Sequence, residues 1–223
     1  MFPSRKHHLI LCSLVTLLEK MASEISLLTN KDCGEDFGCW SFPKDCVDEE
    51  CHGILKWKLL NQRHFRFEMQ AKDVSNFEQG RYMAFGFSED TFMGDDTVIE
   101  CVIDADGISG TTFISFNEGL NNVQLLDASE KMMKDREILL KDGKMVCKFE
   151  LDMTMTDVEE DEKASIYDLH NSTWTLLFAS GSTIPSTGEK LIHSLDEGDE
   201  FYPWKTTEEI RLDQNTVVTE MRQ

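Results

Sequence analysis

The chain has 223 residues, 40% of them hydrophobic, and its 42 acidic side chains against 22 basic ones give a net charge of −20. That length suits one sizeable domain with some extra segments, or at most two small ones. The charge excludes nucleic acid as a partner, because gripping phosphates requires a clustered cationic surface, and leaves an acidic face suited to solubility or to a basic partner.

The chain opens with a cationic stretch, "MFPSRKHH", followed by ten apolar residues, "LILCSLVTLL", and a small-residue zone around Ala22 and Ser23. This is the layout of a secretory signal peptide over residues 1–23. The apolar run falls short of the roughly 20 residues a membrane-spanning helix needs. No later run is long and apolar enough to cross a membrane, and "NTVVTEMRQ" offers no hydrophobic tail for a lipid anchor. The expectation is a secreted, extracellular protein whose mature chain has no transmembrane segment.

Residues 24–52 form a cysteine-rich segment. With Cys12 in the leader, six cysteines remain: Cys33, Cys39, Cys46, Cys51, Cys101 and Cys147. An even number in an oxidising compartment predicts disulfides, with about 15 connectivities open for six cysteines. The first four lie close together and invite local bridges, whereas Cys101 and Cys147 fall on strand-like runs and could clip two neighbouring strands. A zinc site from Cys46, Cys51 and His52 is the poorer account, since the spacing is not C-x-x-C and the compartment favours oxidation.

Residues 53–205 then read as a series of short strands, at about 53–60, 64–72, 82–88, 97–104, 111–117, 122–127, 144–153 and 173–181. In "HFRFEM", Phe65, Phe67 and Met69 share one side, as a strand with one buried face requires. Turn-forming stretches such as "DADG", "NEGLNN" and "KDGK" separate the runs. Only "DASEKMMKDREILL" hints at helix, and it could equally be a loop followed by a strand. The acidic runs "DVEEDEK" and "DADG" lack the ligand alternation and glycine of a calcium loop and read as solvated turns. Asn171 opens an N-glycosylation sequon, "NST". Eight or more short strands at this spacing predict an all-β fold, an antiparallel β-sandwich in one domain, with 206–223 as a C-terminal tail.

Two residues stand out chemically. Met93 lies in the polar loop "SEDTFMGDD" after a strand whose two faces, Met83–Phe85–Phe87 and Tyr82–Ala84–Gly86, do not need it for packing. Gly94 next to it removes a Cβ where something flat could approach. The plainer account is a methionine folding back to plug a gap, as that flexible side chain often does. His193 tips the balance: it closes a short strand, "KLI", at a similar strand-and-loop edge. A thioether and an imidazole on opposite sides of a haem iron form an electron-transfer ligand pair. The other histidines, His52, His64 and His170, show no H-x-H spacing for a copper site.

"YMAFGFSEDTFMGDDTVIECV", followed much later by "LLFASG…TGEKLIH", resembles the DOMON domain, in the variety attached to animal ferric-chelate reductases. The cysteine-rich start before "WKL" is similar to those domains too, and the likeness covers about residues 33–205. It implies a sandwich of about ten strands. It also implies a non-covalent haem b with Met93 and His193 as axial ligands. The absence of C-x-x-C-H agrees with non-covalent attachment. Phe85, Phe87, Phe92 and Ile192 are the candidate haem walls. The expected role is one-electron transfer with a redox partner protein or a ferric chelate. The full reductases carry transmembrane haem helices and this chain carries none, and no G-x-G-x-x-G follows a strand, so it is not expected to be a complete reductase. The alternative on the same fold is a module that binds carbohydrate or protein without haem.

Overall fold

The computed structural model describes residues 25–74 and 78–220; the segment read as a signal peptide lies outside the described residues. Twelve strands follow one another: β1 (Gly38–Phe42), β2 (Gly53–Asn61), β3 (His64–Lys72), β4 (Arg81–Ser88), β5 (Asp96–Ile103), β6 (Gly110–Glu118), β7 (Asn121–Leu125), β8 (Met133–Lys141), β9 (Lys144–Asp152), β10 (Thr175–Ser182), β11 (Trp204–Lys205) and β12 (Val217–Thr219). Two short helices, α1 (Leu126–Met132) and α2 (Glu160–Lys163), lie between strands of the second half.

The strands form two six-stranded sheets, in the orders β12-β1-β2-β3-β9-β8 and β11-β10-β4-β5-β6-β7. Neighbours are antiparallel except for β12 beside β1. The period of two seen in the sequence decides what fills the space between the sheets. Trp57, Phe67 and Phe149 lie in register across β2, β3 and β9. They meet Phe85 and Phe87 of β4 in one continuous core, each essentially without solvent exposure. Burying side chains of this size contributes roughly 1.5–3 kcal/mol apiece before chain entropy is subtracted. Strands β4 and β5 are buried along their whole length, so something other than the opposing sheet covers their outer face. That cover is the candidate site described below.

The sandwich reaches further than residues 53–205. The cysteine-rich segment supplies β1, and the segment read as a tail supplies β12, whose Val217, Val218 and Thr219 pair with Cys39, Trp40 and Ser41. The ambiguous "DASEKMMKDREILL" resolves into both readings in succession, α1 and then β8. The acidic run after residue 157 is not merely solvated: α2 forms there, and the Glu162 carboxylate accepts the Ala128 N–H at 2.7 Å, capping the start of α1. Disulfides join Cys33 to Cys39 and Cys46 to Cys51, local bridges as expected, and the second removes the thiols a zinc site would need. Cys101 and Cys147 are also bonded, but they do not clip neighbouring strands. They stand on β5 and β9, in different sheets, and tie the two layers face to face.

Candidate functional site

Strand β4 sorts its side chains by size as well as by face. Met83, Phe85 and Phe87 point into the core, each fully buried. Tyr82, Ala84 and Gly86 point outward and, with Val98 of β5 and Leu177 of β10, form the floor of a cavity of about 1110 Å³. Small-molecule pockets are commonly roughly 300–1,000 Å³. Alanine and glycine at the centre leave a flat patch of sheet. A Cβ added at Gly86 would only reach ordinary contact, 3.4 Å from Leu177, so the space above it is open. The cavity lies on the outer face of the second sheet.

One wall is the loop between β4 and β5, and it is tightly built. The amides on either side of Met93 are each tied to a carboxylate: Phe92 N–H donates to Asp90 Oδ1 at 2.7 Å, and Gly94 N–H to Asp96 Oδ2 at 2.8 Å. Asp96 is fully buried and also accepts from Asn117 Nδ2 at 3.0 Å, while Asp95 N–H reaches the Asn117 carbonyl at 2.6 Å. Met93 itself is 43% exposed, so it plugs no gap. Gly94, at φ +135°, holds a conformation that favours glycine; a Cβ there would lie at ordinary contact distance, 3.5 Å, from the Gly119 carbonyl of the β6–β7 turn, and Gly94 does not line the cavity. The loop is also electrically negative. Burial first, then the charges of Glu89, Asp96, Asp95 and Asp90, push the Tyr167 phenol up from its usual range.

Another wall is a strap over residues 183–203, between β10 and β11. It begins as a hairpin, with Ile184 N–H donating to the Glu189 carbonyl at 2.8 Å and Leu191 N–H to that of Ser182 at 2.9 Å. His193 follows two residues later, past an isolated bridge at Lys190 and outside any strand. Its Nδ1 lies 2.9 Å from the Ser194 carbonyl. A carbonyl only accepts, so Nδ1 is the donor here, and in the neutral ring that leaves the lone pair on Nε2, the form in which a histidine binds metal. Under the strap, Lys190 forms an ion pair with Glu100, whose side chain is fully buried on β5. Tyr82 donates to the Leu191 carbonyl at 3.1 Å. Burial, reinforced by Glu100, pushes the Tyr82 phenol far above its ordinary range. Burial pushes Lys190 down against the opposing pull of Glu100.

Met93, Phe92, His193 and Ile192 all line this one cavity, although 100 positions separate the two proposed ligands. Phe85 and Phe87 do not: they lie on the core side of β4, with Phe178 and Trp204 in register on that same face, and the floor comes from the outward parity of β4. Sequence reasoning missed Tyr82, Glu100 and Lys190, and the small pair Ala84 and Gly86 was the available signal for the floor. Among the described residues, half of the twelve large apolar side chains left exposed line this cavity: Phe92, Met93, Leu120, Leu191, Ile192 and Leu195. Such a concentration marks a surface meant to be covered. A non-covalent haem fits the donor set, because a thioether and an imidazole with a bare Nε2 share an apolar cavity with a flat floor. No group of three or more His, Cys, Asp or Glu among the described residues is placed to hold a bare metal ion.

Residues 49–181 match the DOMON domain family. The chain belongs to that family. The matched part of this DOMON domain contains Met93 and ends before His193. A Drosophila melanogaster homologue named for ferric-chelate reductase 1 is 29% identical over 161 residues, 68% of this chain and 22% of its own. The human DOMON domain-containing protein FRRS1L is 30% identical over 167 residues, covering 74% of this chain and 50% of its own. The chain thus spans half or less of these two relatives. The structure also overlays on the cytochrome domain of cellobiose dehydrogenase from Myriococcum thermophilum, over 85% of this chain and 89% of that one. With 13% identity and a TM-score of 0.43, that likeness is too loose to carry an argument. No helix among the described residues is long and apolar enough to cross a membrane. Asn171 of the sequon is exposed in the turn before β10, its Nδ2 donating to Asp168 at 2.8 Å.

Proposed function

We propose that this DOMON domain binds haem b non-covalently and serves one-electron transfer, linked to ferric-chelate reduction through a redox partner or the chelate itself. The observation that carries the reading is that Met93 and His193 line one cavity whose floor is Ala84 and Gly86. The chain's own residues divide the work. The Asp90 and Asp96 carboxylates fix the backbone on both sides of Met93, so the thioether approaches from a rigid loop. Ser194 holds the His193 ring in the tautomer that leaves Nε2 as the donor. Leu177 on the floor and Ile192 on the strap offer apolar surface against which the ring would pack. When bound, an iron with both axial positions filled supplies one-electron transfer and disfavours oxygen activation. The name of the Drosophila relative supports the link to ferric-chelate reduction, and a secreted, Asn171-glycosylated form of this domain is part of the proposal.

The test is reconstitution of the purified protein with haem. A Soret band with sharp α and β bands on reduction is expected. Met93→Ala should remove the low-spin signature, and His193→Ala should lose most of the haem. A protein that stays colourless with added haem would overturn the reading. One observation favours a second reading, a carbohydrate-binding module: Asn121 adds an amide group to the β7 side of the cavity. Glycan binding by the haem-free protein, lost on adding haem-independent blocks such as Gly86→Leu, would support it.

A further inference from the structure

Glu100 is an unusual residue to bury beside an apolar cavity: it stands on β5 opposite Ala84 of the floor. It is fully buried, and both of its carboxylate oxygens are occupied by protein: Oε1 by Gln124 Nε2 at 2.8 Å, and Oε2 by Ser115 Oγ at 2.9 Å and by Lys190. Lys190 Nζ is shared in turn with Asn122 Oδ1 at 2.5 Å. The network is closed on itself and presents little to a ligand. Burying an ion pair is costly, and a well-packed apolar pair of the same volume often holds a fold together as well or better. What an ion pair adds is geometry: one lysine, one carboxylate, one register.

We propose that the Lys190–Glu100 pair is a positioning device, clamping the strap to β5 so that the His193 imidazole is presented to the cavity in a fixed orientation. The proposal rests on the haem reading only in that His193 is the group whose placement matters. Lys190 stands three residues before His193. Tyr82 adds a second tether through the Leu191 carbonyl, and Leu191 N–H on Ser182 a third. From Ile192 to Leu195, no backbone hydrogen bond joins the strap to the sheet among the described residues. The orientation of His193 is therefore set from its N-terminal side, and the side chain that fixes that side is Lys190. The short Nδ1 contact to Ser194 then sets the tautomer.

The decisive variant is the double replacement Glu100→Gln with Lys190→Met, which removes both charges and leaves neither buried alone. Two measurements on the haem-free protein read positioning directly. In long-range nitrogen–proton spectra, His193 of the unaltered protein is expected as the Nδ1–H tautomer, and in the double variant it should revert to a mixture dominated by Nε2–H. Exchange of the Leu191 amide should accelerate by about tenfold or more as the strap opens locally. With haem added, affinity should fall about 10- to 100-fold, the size associated with losing a partner that orients a metal ligand. Lys190→Arg, which keeps the charge, should restore most of each signal. An unchanged tautomer and unchanged Leu191 exchange in a folded double variant would overturn the proposal. Because those two readings need no haem, a protein that takes up none sinks the haem reading and still decides this one.

Discussion

At the scale of single residues, the site is a matter of which side of one strand a small side chain occupies. Gly86 has an ordinary backbone conformation, and a Cβ there meets only ordinary contacts with Leu177 and Val98. Gly86→Leu is expected to leave the melting temperature within a few degrees of the parent while abolishing haem uptake, because the new side chain fills the cavity floor. A thermal melt paired with a haem titration checks both halves, and undiminished uptake would remove Gly86 from the site. The sequence made Met93 and His193 visible because thioether and imidazole are chemically conspicuous outside a packing pattern. It also showed that Phe85 and Phe87 share a side. What it could not show was which side meets the cavity, since alternation gives two faces without labelling either. The large face turned out to be core and the small face the floor.

At the scale of elements, alternation and turn chemistry located β2 through β7, β9 and β10 to within a few residues, and left β8 as one of two readings. The misses are short or non-local. β1 is five residues inside a cysteine cluster, and β12 is three residues whose partner lies far back in the chain. Gly38 shows what β1 demands: a Cβ there would fall 2.2 Å from the Trp57 ring. Gly38→Ala is therefore expected to cost about 1–3 kcal/mol, the usual range for overpacking, read as a lower urea midpoint with an unchanged slope. The bridge between Cys101 and Cys147 closes 46 residues and joins the sheets. Replacing both cysteines by alanine should cost about 2–4 kcal/mol, seen in the same titration. A change well under about 1 kcal/mol would mean that the aromatic core alone fixes how the sheets stack.

At the scale of the whole molecule, charge sets how stability responds to pH. With 42 acidic groups against 22 basic ones, self-repulsion is strong at neutral pH and weakens as carboxylates begin to protonate. Specific carboxylates act the other way. A hydrogen bond from Lys131, then the Glu159 N–H, holds Asp127 below its usual range, and Arg211 does the same for Asp213. A carboxyl depressed in the folded state stabilises fully above its unfolded value near about 3.9, and that stabilisation is lost as pH falls through the folded value. The melting temperature is accordingly expected to rise from about pH 8 to about pH 5 and to fall again below about pH 4. A profile that declines steadily from pH 8 downward would show that pair interactions outweigh the net charge throughout.

The amino-acid order determined local matters: where strands alternate, where turns break them, which cysteines are available to pair, and where a loop thioether and an imidazole stand outside the packing pattern. Family likeness followed from the same local strings. Folding alone settled what depends on distant partners. It assigned the outward face of β4 to a cavity, made residues 183–203 one of its walls, and joined Lys190 to Glu100 over a separation of 90 residues. The physical reason is that a period of two is set by the geometry of the extended chain and is written into neighbouring residues. A contact across the chain is set by closure of a long loop, and neither sequence that meets there bears a mark of the other.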